Sequence, residues 1–222
     1  EGVVGKKVGV ILAGSGVNDG SEIHEAVCTM VALDRAGAEI IFAAPDKDQR
    51  DVIDHQAGAP MKQTRNVLVE SARIARGNVR NLGSLEADEL DAVILPGGFG
   101  AAKNLSSFAV EGKDCSVDPD LVRLLRNMNQ AGKPIGALCI APAIIAAVFG
   151  SDYKPEITIG SDEGTASALE AMGAKHVSSS VSDIVIDEQN KIVTNACYML
   201  ATRISEVATG AEKVVKAVLD RA

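Results

Sequence analysis

The residues with the most chemistry to offer are Gly136-Ala137-Leu138-Cys139-Ile140-Ala141-Pro142. An apolar run enters a cysteine that has a small residue two before it, Ala137, and two after it, Ala141, with a helical stretch close behind. This is the small-x-nucleophile-x-small elbow with Cys in place of Ser, the small neighbours leaving room for a tight strand-to-helix turn. A thiol at a helix N-terminus feels the positive end of the dipole, which favours the nucleophilic thiolate. Pro142 suits a first helical turn, where backbone N–H groups lack internal partners. The same pattern also suits a small buried hydrophobe between strand and helix.

Two further segments could serve that thiol. In Ile94-Leu95-Pro96-Gly97-Gly98-Phe99-Gly100, paired glycines after a buried strand let backbone N–H groups face a ligand, as an oxyanion site requires. The bland alternative is a glycine turn. In Asp19-Gly20-Ser21-Glu22-Ile23-His24-Glu25, a carboxyl group near a thiol and partly desolvated would have a raised pKa and could act as general acid or base. Glu22 and Glu25 are three apart and share a helix face, so either could do it. Acidic residues in a first turn also simply favour the dipole.

These segments must be positioned by an alternation of apolar runs and amphipathic stretches. Strands are expected over 7–12, 39–44, 91–95, 135–138 and 157–160. Helices are expected over 22–36, 120–131, 139–149, 165–172 and 198–219, with a further helix late in 46–77. Residues 184–187 and 191–194 flank Glu188-Gln189-Asn190 as a hairpin, expected as an antiparallel edge. The pattern describes a single domain over residues 1–222: an α/β sandwich with a mostly parallel sheet, its site at the C-terminal ends of the strands.

Composition narrows the partners. A chain that is 46% hydrophobic can bury a large core, and the 3% aromatic content points to small and branched aliphatic packing. The formal charge of −8 argues against nucleic acid. No apolar run is long enough to span a membrane; the longest, 135–149, is interrupted by Gly136 and Pro142. No signal peptide is expected, although the start at Glu1 is compatible with a removed leader. Cys28, Cys115, Cys139 and Cys197 form no CxxC pair, which argues against a structural metal or a disulfide framework and for a reducing compartment.

The ordered motifs resemble the ThiJ/PfpI superfamily, relatives of the class I glutamine amidotransferases. The carrying residues are Gly14-Ser15-Gly16-Val17-Asn18-Asp19-Gly20-Ser21-Glu22-Ile23-His24-Glu25, Leu95-Pro96-Gly97-Gly98-Phe99-Gly100-Ala101-Ala102-Lys103-Asn104-Leu105 and the Cys139 elbow, with Arg65 to Gly77 pointing to the ElbB-type subgroup. The resemblance implies a flavodoxin-like three-layer sandwich, a homodimer, and a glutamate from the first helix beside the elbow thiol. Glu25 falls at that position, with Glu22 as the fallback. It also implies oxyanion donors in the N–H groups of Gly98 and Ile140, and substrate contacts from Glu22, Gly97 and Asn18.

Departures from the family pattern shape the expected activity. Ile140 follows the nucleophile where the protease branch has histidine, and Thr194-Asn195-Ala196-Cys197-Tyr198 lacks the late histidine of the amidotransferases. His24 adjoins Glu25 but should point elsewhere from a helix, and His55 either lines the pocket or caps a turn. A Cys–Glu pair without histidine suits the glyoxalase chemistry associated with the ElbB-type subgroup: glyoxal or methylglyoxal converted to glycolate or lactate, with neither glutathione, cofactor nor metal. The expected partner is thus a small α-oxoaldehyde, in the cytoplasm or, after leader removal, the mitochondrial matrix. The alternative is a redox-sensing, chaperone-like or regulatory protein using the same thiol. A dinucleotide site is a weaker reading, because Gly14, Gly16 and Gly20 are spaced GxGxxxG.

Overall fold

In the computed structural model, which describes residues 5–222, the apolar runs assemble into a seven-stranded sheet between two helical layers. The elements are β1 (Lys7–Ile11), α1 (Ile23–Arg35), β2 (Glu39–Ala44), β3 (Ile53–Asp54), β4 (Ala59–Pro60), α2 (Val67–Ile74), β5 (Arg80–Asn81), β6 (Ala92–Leu95), α3 (Phe99–Lys103) and α4 (Phe108–Glu111). They continue with α5 (Pro119–Gln130), β7 (Ile135–Leu138), α6 (Pro142–Tyr153), β8 (Glu156–Ile157), α7 (Glu163–Ala171), β9 (Lys175–His176), β10 (Val185–Asp187), β11 (Ile192–Asn195) and α8 (Ile204–Leu219).

The sheet order is β10-β11-β7-β6-β1-β2-β5, parallel throughout except for the β10 edge, which pairs antiparallel with β11. Successive residues of each strand feed opposite cores. Val93 and Leu95 of β6 pack with Leu121, Leu124 and Phe149, whereas Ala92 and Ile94 pack with Ala26, Leu33, Val214 and Val218. Both faces are therefore apolar, as a parallel sheet covered on both sides requires. Each fully buried Leu or Val contributes about 1.5–3 kcal/mol. The chain leaves β1 through α1 toward β2, and places β6, β7 and β11 on the other side of β1. That reversal opens a crevice at the C-terminal ends of β1 and β6, where such folds hold ligands.

Several boundaries differ from the sequence pattern for identifiable reasons. Instead of a helix from residue 198, α8 begins at Ile204, and Cys197–Met199 forms a short 3-10 turn. Glu206 sets that start by accepting the N–H groups of Thr202 (2.8 Å) and Arg203 (3.0 Å). The strand expected over 157–160 shrinks to a two-residue pairing of β8 with β9, outside the main sheet. The N–H of Thr158 is taken by Thr194 Oγ1 and that of Gly160 by Thr158 Oγ1, so neither is left for a ladder. Helix α6 starts at Pro142, not Cys139, after tight bonds from Ala141 N to Leu138 O and from Ala143 N to Ile140 O. The glycine turn after β6 carries the unexpected short helices α3 and α4.

Candidate active site

Cys139 stands where β7 ends. Its N–H donates to Asn195 O at 3.0 Å, as though the strand continued, and its φ of 59° then turns the chain toward α6. A non-glycine residue in the left-handed region costs about 1–3 kcal/mol, and such positions cluster at functional sites. The residue is only 8% exposed.

The Gly97-Gly98 turn closes over this cysteine from the end of β6. A Cβ at Gly97 would lie 2.5 Å from Cys139 Cβ and 2.7 Å from Glu25 Oε2, so no side chain fits there. Gly98 has a φ of 95°, and its N–H lies near the Cys139 thiol and lowers its pKa. Among the described residues the N–H of Ile140 has no protein acceptor.

Helix α1 delivers the carboxyl group. Its first turn is fixed by Glu22, whose Oε2 accepts the N–H of Glu25 at 2.7 Å. The preceding loop is tied down by buried side chains: Ser21 accepts from Ala13 N, and Asn104 Nδ2 donates to Ala13 O and Asp19 O. Glu25 is fully buried. Its Oε2 accepts the N–H of Gly97 at 2.9 Å, its Oε1 that of Tyr198 at 3.2 Å, and the Cys139 thiol stands beside it. Burial, reinforced by the nearby Glu22, raises Glu25 from an ordinary value near 4.5 to about 7, against the pull of those three neighbours.

The same burial corrects one expectation about the thiol. Cys139 is held well above the usual cysteine range, first by desolvation and then by Glu25, with only the Gly98 N–H acting the other way. Burial beside Glu25 thus favours the thiol over a thiolate made by the helix dipole. The helix begins three residues later, at Pro142, too far along to dominate a buried neighbour.

Beside Cys139 lies a cavity of about 360 Å³. Its walls include Val17, Phe99, Phe108, Ile140, Tyr198 and Met199, and Glu22 stands at its side. Of the sequence-selected residues, Cys139, Glu22, Gly98 and Ile140 line it, while Glu25 and Gly97 lie directly behind the thiol. Asn18 does not line it. Its N–H donates to His55 Nε2 at 3.1 Å and its carbonyl accepts from Lys103, so it holds the loop together. His55 likewise braces this loop, with Nδ1 3.0 Å from Ile53 O. In the Gly14–Gly20 loop the N–H of Gly14 is taken by Ser71 Oγ, that of Gly16 by Ser21 O, that of Asn18 by His55 Nε2 and that of Gly20 by Gly16 O, which removes the phosphate cradle a dinucleotide would need.

Tyr198 is the residue the sequence pattern missed. Assigned to a helix by period, it sits instead in the 3-10 turn after β11, lining the cavity and donating its N–H to Glu25. Its hydroxyl lies 2.6 Å from His24 Nδ1, so His24 reaches the border of the site after all. The signal that could have found Tyr198 was the empty place of the amidotransferase histidine. Cys197, fully buried beside it, is raised by desolvation and by Glu25.

Residues 6–197 match the model of the DJ-1/PfpI family. The chain is 47% identical to the "ES1 protein homolog, mitochondrial" of Rattus norvegicus, covering 96% of this chain and 83% of that one. It is 46% identical to the human "Glutamine amidotransferase-like class 1 domain-containing protein 3, mitochondrial", covering 96% and 82%. Among solved structures, an isoprenoid biosynthesis protein with amidotransferase-like domain from Ehrlichia chaffeensis superposes with a TM-score of 0.91 at 36% identity, covering 97% of this chain and 99% of that one.

Proposed function

Because the chain belongs to the DJ-1/PfpI family, we propose that Cys139 and Glu25 form the reacting pair of a glutathione-independent glyoxalase of the ElbB type. The observation that carries this reading is the buried carboxyl group of Glu25, at about 7, beside the elbow thiol across Gly97. A base poised near neutral pH is what repeated proton transfer needs.

Glu25 takes the thiol proton as Cys139 Sγ bonds to the aldehyde carbon of an α-oxoaldehyde. The carbonyl π pair moves onto oxygen, held by the N–H groups of Gly98 and Ile140, and that oxygen takes the proton from Glu25 to give a hemithioacetal. Glu25, again a carboxylate, removes the C1 hydrogen as a proton; the C–H pair forms C1=C2, and the C2 carbonyl pair moves onto its oxygen to give an enediolate. Glu25 returns that proton to C2 while the C1 hydroxyl proton passes to the C2 oxygen, leaving a thioester of the 2-hydroxy acid. Water then attacks C1, the C–S bond breaks and the thiol is regenerated. One aldehyde and one water become one hydroxy acid.

In this reading glyoxal gives glycolate and methylglyoxal gives lactate. A redox-sensor role would draw on the same thiol and the same neighbouring carboxyl group. The mitochondrial names of the rat and human relatives favour the matrix over the cytoplasm for this chain. Among the described residues no helix is long and apolar enough to cross a membrane. The test follows wild type and Cys139→Ala on both aldehydes without added thiol, identifying the acid by NMR. Hydroxy acid from wild type alone is expected; equal turnover by the alanine variant would sink the mechanism.

A further inference from the structure

We infer that the preferred substrate of this site is an uncharged α-oxoaldehyde carrying an aryl or branched-alkyl substituent, bound with that substituent against the apolar wall. The inference rests on the glyoxalase reading for its reaction, and on the cavity alone for its choice of ligand. Glyoxal would engage only the reacting end: Cys139, Glu25 and the Gly98 N–H. The remainder of the roughly 360 Å³ space is walled by Val17, Phe99, Phe108, Ile140, Tyr198 and Met199. Sites of that size ordinarily enclose ligands well beyond two or three carbon atoms. Val17 and Phe99 are 40% and 49% exposed, so this apolar surface faces water until a ligand covers it.

Charge decides the rest. Among the described residues lining the cavity, Glu22 carries the only ionisable carboxyl group and no Lys, Arg or His is present. Lys103 is not among the lining residues; it stands 5.3 Å from the centre of the Phe99 ring, where Asp51 holds it at 3.0 Å. A substrate with a second, anionic group would face Glu22 with no cation to offset the lost hydration. A neutral apolar substituent meets no such penalty.

The experiment has two arms. In the first, kcat/KM is compared for phenylglyoxal, methylglyoxal, glyoxal and 4-carboxyphenylglyoxal, with Cys139→Ala as blank. Phenylglyoxal is expected to exceed glyoxal on the order of 10- to 100-fold, as apolar groups in a fitted pocket do. Ala109→Phe, which puts a ring at a residue lining the cavity, should cut kcat/KM for phenylglyoxal much more than that for glyoxal and so erase most of that preference. In the second arm, iodoacetamide labelling of Cys139 is followed by peptide mass in the presence of acetophenone, 4-acetylbenzoate or acetone. Acetophenone should protect at concentrations at least tenfold below the other two. That protection with no turnover of any aldehyde would keep the ligand class and remove the glyoxalase reading. Protection by acetophenone no better than by acetone or 4-acetylbenzoate overturns the inference whatever the turnover, as does equal kcat/KM for glyoxal and phenylglyoxal.

Discussion

Glu25 ties the chemistry of the site to the stability of the chain. The folded state holds this proton up to about pH 7, whereas an ordinary glutamate releases it near 4.5. Between those values the folded state binds more protons than the unfolded one. Stability therefore falls as pH rises from about 4.5 to 7, by on the order of 3 kcal/mol, and this contribution is flat outside that window. Glu25→Gln should abolish that part of the slope in urea unfolding measured across the same range. It should add a pH-independent loss of about 1–2 kcal/mol, because an amide NH₂ must face one of the two N–H donors of Gly97 and Tyr198. Turnover should drop by about 100-fold or more, and the wild-type rate should climb through about pH 7 as Glu25 becomes a base. Gly97→Ala tests the close approach itself. Its Cβ, 2.5 Å from Cys139 Cβ, would push turn and elbow apart, costing about 1–3 kcal/mol by thermal or urea unfolding and most of the turnover.

At the scale of elements, the site is a meeting of four strand ends and one helix, and Asn195 is the pin. Its carbonyl takes the N–H of Cys139, and its Oδ1 accepts from Cys197 N at 2.8 Å. Its Nδ2 donates to Val181 O at 3.0 Å and Asp183 O at 2.7 Å. Asn195→Ala would leave the buried Cys197 N–H without its partner and release the carbonyls of Val181 and Asp183, and a loss of about 1–3 kcal/mol is expected in denaturant unfolding. Freed from that anchor, the turn carrying Tyr198 would no longer present its N–H to Glu25, so iodoacetamide should reach Cys139 faster than in wild type. The central strands were legible because apolar runs such as Ala92-Val93-Ile94-Leu95 serve two cores at once. Tyr198 was not, because the helical period of α8 runs back through it and only the long-range contact with Glu25 marks it as part of a turn. The short helices α3 and α4 were hidden for a similar reason: glycine at Gly98 and Gly100 reads as a loop. The protonation of Cys139 was out of reach as well, since it depends on a carboxyl group more than a hundred residues away being buried against it.

The whole molecule raises the question of its outer face. Along α1, Ile23, Val27 and Val31 recur every fourth residue, and each is 42% exposed on the side opposite the buried Ala26 and Leu33. Three β-branched apolar side chains in a row keep a helix surface open to a partner of similar character. The homodimer that the family resemblance implies would have a natural contact there, and it would bear directly on the site, because Glu22 and Glu25 belong to the cap and first turn of the same helix. A protein with net charge −8 resists indiscriminate association, so a dimer requires an apolar contact of this kind to overcome the mutual repulsion. Light scattering after size exclusion should therefore return a dimer mass, and Val27→Asp should shift it to the monomer without unfolding the chain, since Val27 is not part of either core. If the contact also steadies the first turn of α1, the monomeric variant should label faster at Cys139 and lose turnover. A monomer mass for the wild type would remove α1 from consideration as an interface and leave the stripe as plain surface.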